Sequence, residues 1–196
     1  MTSEAPARAQ ATINAVREDP SGIRVGGRRF ELAPHHCFAC GELNEGGIQL
    51  KLHGDESGVW TELALDYRFE GWQGIAHGGI LATILDEVAA WSVIARGGWG
   101  VTARMSIDFK RPVQVGRRIR GEGHVTANRR RVYETAAQVV DPEDGTVFAT
   151  STATFVAANA EQRTELAARY GIQLADTTGG VDPRPASPAM GAGDLR

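Results

Sequence analysis

Hydrophobic and polar positions change their period twice along this chain. From 59 to 67, Val59, Leu63, Leu65 and Tyr67 alternate with Glu62, Ala64 and Asp66, the period of two of a half-buried strand. From Ile80 to Ala95 the spacing turns helical. Leu81, Ile84, Leu85, Val88, Trp91 and Ala95 make one face, and Ala82, Ala89 and Ala90 elsewhere predict a helix buried over most of its surface. Arg96 and the pair Gly97-Gly98 mark its end. Four strand-like runs follow at 102–109, 119–126, 131–140 and 146–156, punctuated by Pro112 and Gly116, by Asn128, and by the turn residues of 141–145. Links this short predict an antiparallel meander. One buried helix with a set of antiparallel strands predicts an α+β fold, a curved antiparallel sheet wrapped around one long central helix, and no βαβ repeat.

The flanks read differently. Two short runs about Gly26-Gly27 predict a small hairpin between Ile23 and Leu32 ahead of the domain proper. Residues 1–20 lack a strong apolar face and are expected to be flexible, a C-terminal helix is expected over 159–176, and 177–196, rich in Gly, Pro, Ser and Asp, reads as a disordered tail. That leaves 21–158 as the domain. A chain of 196 residues with 42% hydrophobic and 23% charged positions is long enough for one sizeable core.

A net charge of −3 gives no general attraction to nucleic acid or to an anionic membrane, so neither is expected as a partner. The first 20 residues carry no signal-type apolar core, and no run reaches the roughly 18 apolar residues of a membrane span. A cytoplasmic location is therefore expected. The only two cysteines, Cys37 and Cys40, are too few for a disulfide framework. With His35 and His36 just before them they invite a zinc reading, but no second pair at finger spacing appears, so the pair is read as packing at the domain entrance and no metal or cofactor is expected.

Chemistry concentrates on the helix. Between Gly78 and Ala95 the only charged residues are Asp86 and Glu87, and a carboxylate among apolar neighbours calls for a pairing or a chemical task. Adjacent helical residues point about 100° apart, so one of the two at most faces a given pocket. The competing reading is a buried ion pair. Just before the helix, Gly71-Trp72-Gln73-Gly74-Ile75-Ala76-His77-Gly78-Gly79 supplies glycines at a helix start, where unpaired N–H groups can bind a carbonyl oxygen and stabilise charge developing on it. Asp86, further along, suits nucleophilic attack or base activation of water. Arg129-Arg130-Arg131 and Lys110-Arg111 are alternative contacts for phosphate, and the sequence does not choose between them. The four tryptophans, Trp60, Trp72, Trp91 and Trp99, read as core or pocket wall.

The segment GIAHGGILATILDE, followed by MSIDFKRPVQVG and preceded by CFACGELNEGGIQLKL, resembles the hotdog-fold thioesterase superfamily, in its phenylacetyl-CoA thioesterase-like branch with a His-Gly-Gly motif. The resemblance covers about 36–157. It implies a helix wrapped by an antiparallel sheet, an acyl-CoA substrate, and a homodimer, or a homotetramer built from it, with active sites at the dimer interface. By position it implies Asp86 as the catalytic carboxylate, Gly78 as the backbone N–H that polarises the thioester carbonyl, His77 as the motif histidine that orients the turn or substrate, and Thr102 as a hydroxyl near the attacking water, contributed by the partner subunit. Gln73, Gly79 and Glu87 are expected to contact substrate. The amide that several members carry six positions before the histidine is replaced here by Gly71. The implied activity is hydrolysis of an acyl-CoA; the alternative is a hotdog module that binds acyl-CoA without turnover.

Overall fold

The computed structural model describes residues 23–25, 28–31, 33–54, 57–170 and 173–175; the expectations for 1–20 and 177–196 fall outside them. In chain order the elements are β1 (Ile23–Val25), β2 (Arg28–Glu31), β3 (His53–Gly54), β4 (Val59–Ala64), a 3-10 turn (Tyr67–Phe69), β5 (Glu70–Trp72), β6 (Ile75–Ala76), α1 (Gly78–Ala95), β7 (Gly100–Phe109), β8 (Arg118–Arg129), β9 (Val132–Val140), β10 (Val147–Ala157), α2 (Ala160–Tyr170) and β11 (Gln173–Ala175). The strands β11-β2-β1-β3-β4-β8-β9-β10-β7, in that order, form one sheet, and β5 pairs with β6 apart from it. All these pairings are antiparallel except that of β1 with β3.

Helix α1 lies in the concave face of the sheet. Ile84, Leu85 and Val88 are fully buried against Ile119, Phe148, Phe155 and Leu65. Strand β8 meets the helix with glycines at Gly121 and Gly123, and a Cβ there would sit 2.6 Å from Ile84 Cγ2 and 3.0 Å from the Val88 backbone. The helix can approach so closely only because those positions carry no side chain. By length and composition alone α1 would suffice to cross a membrane, contrary to the expectation from the sequence, but here it is the core helix of the sheet. Its end follows the expectation, with Gly97 at φ 78° and Gly98 N–H returning to Val93 O at 2.9 Å.

Three expectations are corrected. The four strands after the helix do not form a simple meander: β8, β9 and β10 do, but β7 pairs with β10 and ends the sheet. The link from Lys110 to Arg117 is long enough to cross the end of the sheet, buries Val113 and returns to β4. The strand expected over 59–67 stops at Ala64, because the Asp66 side chain accepts from Arg68 N–H at 2.9 Å and turns the chain, leaving Tyr67 exposed. Helix α1 is not buried all round. Ala82, Thr83, Asp86 and Ala90 remain partly open beside β7, whose outer edge, unpaired among the described residues, carries Val101 at 72% and Phe109 at 56% exposure.

Candidate active site

The glycine run forms a hairpin, β5–β6, laid across the helix start. Ala76 N–H donates to Val113 O and His77 N–H to Phe69 O, at 2.9 and 2.8 Å. His77 is the N-cap of α1, extended at φ −65° and ψ 132°, and its Nδ1 accepts from Gly79 N–H at 2.9 Å. The Gly79 N–H is thereby used within the chain. The Gly78 N–H, one residue earlier, has no acceptor among the described residues and opens on a groove lined by Gly71, Trp72, Ile75, His77 and Pro112. Trp72, 86% exposed, belongs to this groove wall and not to the core. Gln73 stands exposed on the hairpin link with no hydrogen bond to the other site residues, and an added Cβ at Gly71 would meet His77 Cα at 3.0 Å. The position of the missing amide is packed against the histidine itself.

Asp86 faces the open side of α1, where Thr102 Oγ1 donates to its Oδ1 at 2.7 Å. Both belong to the same chain, whereas the resemblance implied a hydroxyl from the partner. A β-bulge makes the contact. Met105, Ile107 and Phe109 oppose Ala153, Ser151 and Ala149 on the inner face of β10, but the register shifts between Thr154 and Phe155, so that Ala103 is passed over and Thr102 opposes buried Phe155. Residues directly opposed on paired strands share a face. The bulge thus turns Thr102, a position that reads as outward by alternation, toward the helix.

Glu87 points to a different side of α1 from Asp86. It is largely buried on another side of α1, accepts from Trp91 Nε1 at 2.9 Å, and lies with Cys37 and Cys40 so that one ligand atom of each falls within 4.8 Å of the others. Burial pushes its carboxyl up to about 7. The Cys40 thiol, by hydrogen bonding to Cys37, holds the Cys37 thiol down at about 5, while that bond and then burial push Cys40 strongly up. The sequence marked the Cys-x-x-Cys pair, but nothing in it joined the pair to Glu87. Of the two basic groups, Lys110 and Arg111 line a second depression that also borders Gly78, their backbone N–H groups held by Phe148 O, while Arg129 to Arg131 sit at the β8–β9 turn.

A long helix held in a curved antiparallel sheet is the hotdog fold. Residues 73–148 match the family model of the thioesterase superfamily. Among solved structures it resembles zebra fish thioesterase superfamily member 2, with a TM-score of 0.54 and 20% identity over 59% of this chain and 89% of that one. A second thioesterase superfamily protein gives a TM-score of 0.59 and 26% identity over 62% of this chain and 60% of that one. A Streptococcus mutans protein solved bound to acetyl CoA gives 0.53 and 21% over 56% and 89%. An acyl-coenzyme A thioesterase of Xenopus laevis is 28% identical over 87 residues, 44% of this chain, and the match spans 39% of that relative's length. Family and relative together support a thioesterase-type function.

Proposed function

We propose that the chain is an acyl-CoA thioesterase whose active site is completed by two copies of it, with Asp86 as the base that draws a proton from the attacking water. The observation that carries this reading is the Thr102–Asp86 hydrogen bond on a side of the helix left open in the single chain. The Thr102 oxygen, having donated its proton to Oδ1, keeps lone pairs to accept from a water whose other hydrogen points at Asp86 Oδ2. Attack forms the bond from water oxygen to acyl carbon, the proton passes to Asp86, and collapse breaks the C–S bond as Asp86 returns that proton to the departing coenzyme A sulfur.

Distance favours a second copy. Asp86 lies eight residues beyond Gly78, about 12 Å along the axis at a rise of about 1.5 Å per residue. The first N–H groups of a helix point outward past its N-terminus, so a carbonyl held at Gly78 lies further away still. Attack needs a separation of about 3–3.5 Å, so Gly78 of one copy serves the Asp86 of the other. The unpaired, apolar edge of β7 suits an isologous pairing that sets two helices side by side and antiparallel. Lys110 and Arg111, beside Gly78, suit the phosphates of coenzyme A.

The test is a hydrolysis screen with acyl-CoA substrates from short aliphatic through long-chain to aromatic, followed by free thiol release. Light scattering gives the oligomeric state of the same sample. Turnover by a dimer or tetramer is expected; a chain that releases no thiol from any class is a binding module, and a monomer at full rate removes the two-copy site.

A further inference from the structure

The cluster of Cys37, Cys40 and Glu87 takes no part in this mechanism, yet it is built from distant pieces of the chain. The turn that carries the cysteines is tightly wound: Gly41 N–H donates to Cys37 O at 2.9 Å, and a Cβ on buried Gly41 would lie 2.4 Å from Cys37 N and 2.5 Å from His35 O. Ile48 and Leu50 donate to Phe38 O and Ala39 O at 2.9 and 2.8 Å and hold the turn against the domain. Both thiols are unoxidised, and both converge with the Glu87 carboxylate. His35 stands beside the group, its Nε2 3.5 Å from Cys40 Sγ but not within 4.8 Å of all three of the other ligand atoms. Its Nδ1 lies 3.2 Å from Ala33 O. A carbonyl only accepts, so Nδ1 carries the proton and Nε2 presents a lone pair to the cluster, the tautomer a metal requires.

We propose that Cys37, Cys40 and Glu87 bind a divalent transition-metal ion of the zinc class, and that the neighbouring His35 closes on it as the fourth ligand when the ion is bound. Two thiolates, one imidazole and one carboxylate form a four-ligand set of the kind zinc takes in tetrahedral sites. Bond lengths of about 2.0–2.3 Å place neighbouring ligand atoms roughly 3.3–3.8 Å apart, a short closure for Cys37, Cys40 and Glu87 from a spacing within 4.8 Å. Trp91 holds Glu87 Oε1 and leaves the second carboxylate oxygen to the ion. Among the described residues no Lys or Arg pairs with Glu87, so a largely buried acid beside two thiols lacks the positive charge that a divalent ion supplies. A disulfide would use the two sulfurs alone and give no part to Glu87 or His35. The bound ion joins the turn at 37–41 to α1 at the residue next to Asp86.

The full chain, purified under reducing conditions, stripped with a chelator and titrated with cobalt(II) alone, should develop a near-ultraviolet sulfur-to-cobalt charge-transfer band and the visible bands of tetrahedral cobalt. Saturation is expected at about one ion per chain, displaced by zinc. Cys37→Ser and Cys40→Ser should each lose about half of the charge-transfer band, and Glu87→Gln and His35→Ala should each weaken binding by about tenfold or more and change the visible bands. Glu87→Gln keeps an oxygen for Trp91 and so tests the ligand without removing that hydrogen bond. Zinc should raise the Tm of the wild-type chain and not that of Cys37→Ser, a readout independent of turnover. Reduced wild-type protein that shows no saturable cobalt–thiolate band overturns the proposal. So does Glu87→Gln with unchanged affinity and spectrum, which would reduce the site to a thiol pair.

Discussion

The two-copy site can be tested without a structure of the assembly, by mixing two inactive variants. Gly78→Pro removes one N–H and little else. Gly78 is the first residue of α1, a position at which proline is favoured, and His77 before it already has the extended backbone that proline demands. A Cβ at residue 78 would meet Phe109 Cε1 at 3.5 Å, an ordinary contact, so the fold should survive. Loss of one donor to a developing oxyanion costs about 10²–10³ in turnover. Asp86→Asn keeps the shape and the bond from Thr102 while removing the base, a loss of about 100-fold or more. Gly78→Ala is the control for bulk; it keeps the N–H and should stay within a few fold of wild type.

If each site draws Gly78 from one copy and Asp86 from the other, a hybrid of Gly78→Pro with Asp86→Asn holds one site with both lesions and one with neither. Equal mixing makes about half the dimers hybrid, and half the sites in those are intact, so turnover should recover to about a quarter of wild type. Against parents about 100-fold down, that is a rise of about 25-fold. The assay is thiol release from an acyl-CoA after co-expression or co-refolding, with two different tags to isolate the hybrid. A verified hybrid as inactive as its parents refutes the two-copy assignment, because a site within one chain would carry one lesion in every copy. Full activity in Gly78→Pro alone would remove the N–H from the mechanism.

Thr102→Val should keep the fold and lower kcat by about tenfold or more, since a hydrogen bond to a charged group contributes about 1.5–3 kcal/mol; unchanged kcat would make Thr102 a bystander. Gly123→Ala should destabilise by about 1–3 kcal/mol in urea unfolding, because its Cβ would press on the Val88 backbone at 3.0 Å, which cannot swing aside as a side chain can. Asp141, 6% exposed, is held well below the usual carboxylate range by N–H groups of Glu143, then by Arg117 and Asp144. The stability this adds is full above the ordinary aspartate pKa of about 3.9 and is lost as pH falls through the lowered value. Asp141→Asn should therefore be less stable at neutral pH and show a flatter decline in Tm on acidification; a decline as steep as wild type would refute the assignment.

Periodicity carried the core far better than the edges. The helical spacing of Leu81, Ile84, Leu85 and Val88 located α1, because apolar burial is written directly into residue type. The place of β7 in the sheet was not legible, since antiparallel neighbours joined by turn residues can be ordered in more than one way. The eight-residue link from 110 to 117 and the burial of Val113 decide the order in space. Asp86 and Glu87 illustrate the same limit within one turn of helix. Sequence marks both as costly in an apolar segment and says that they diverge, but which one meets an open surface depends on where β7 and the turn at 37–41 lie.

Thr102 is the sharper case. Along β7 the apolar residues Val101, Ala103, Met105, Ile107 and Phe109 alternate with Thr102, Arg104, Ser106 and Asp108, so strict alternation turns Thr102 outward, and only the resemblance singled it out. The bulge at Ala103 reverses that at the one level where the helix presents a carboxylate. Each departure would be unfavourable by itself. A hydroxyl turned to the inner face would lack an acceptor, and a carboxylate in mid-helix would lack a donor. Together they satisfy one another while leaving Asp86 Oδ2 without a hydrogen bond among the described residues. Two local violations that resolve each other across the fold, on the surface where the sheet ends, are what set this position apart from the core.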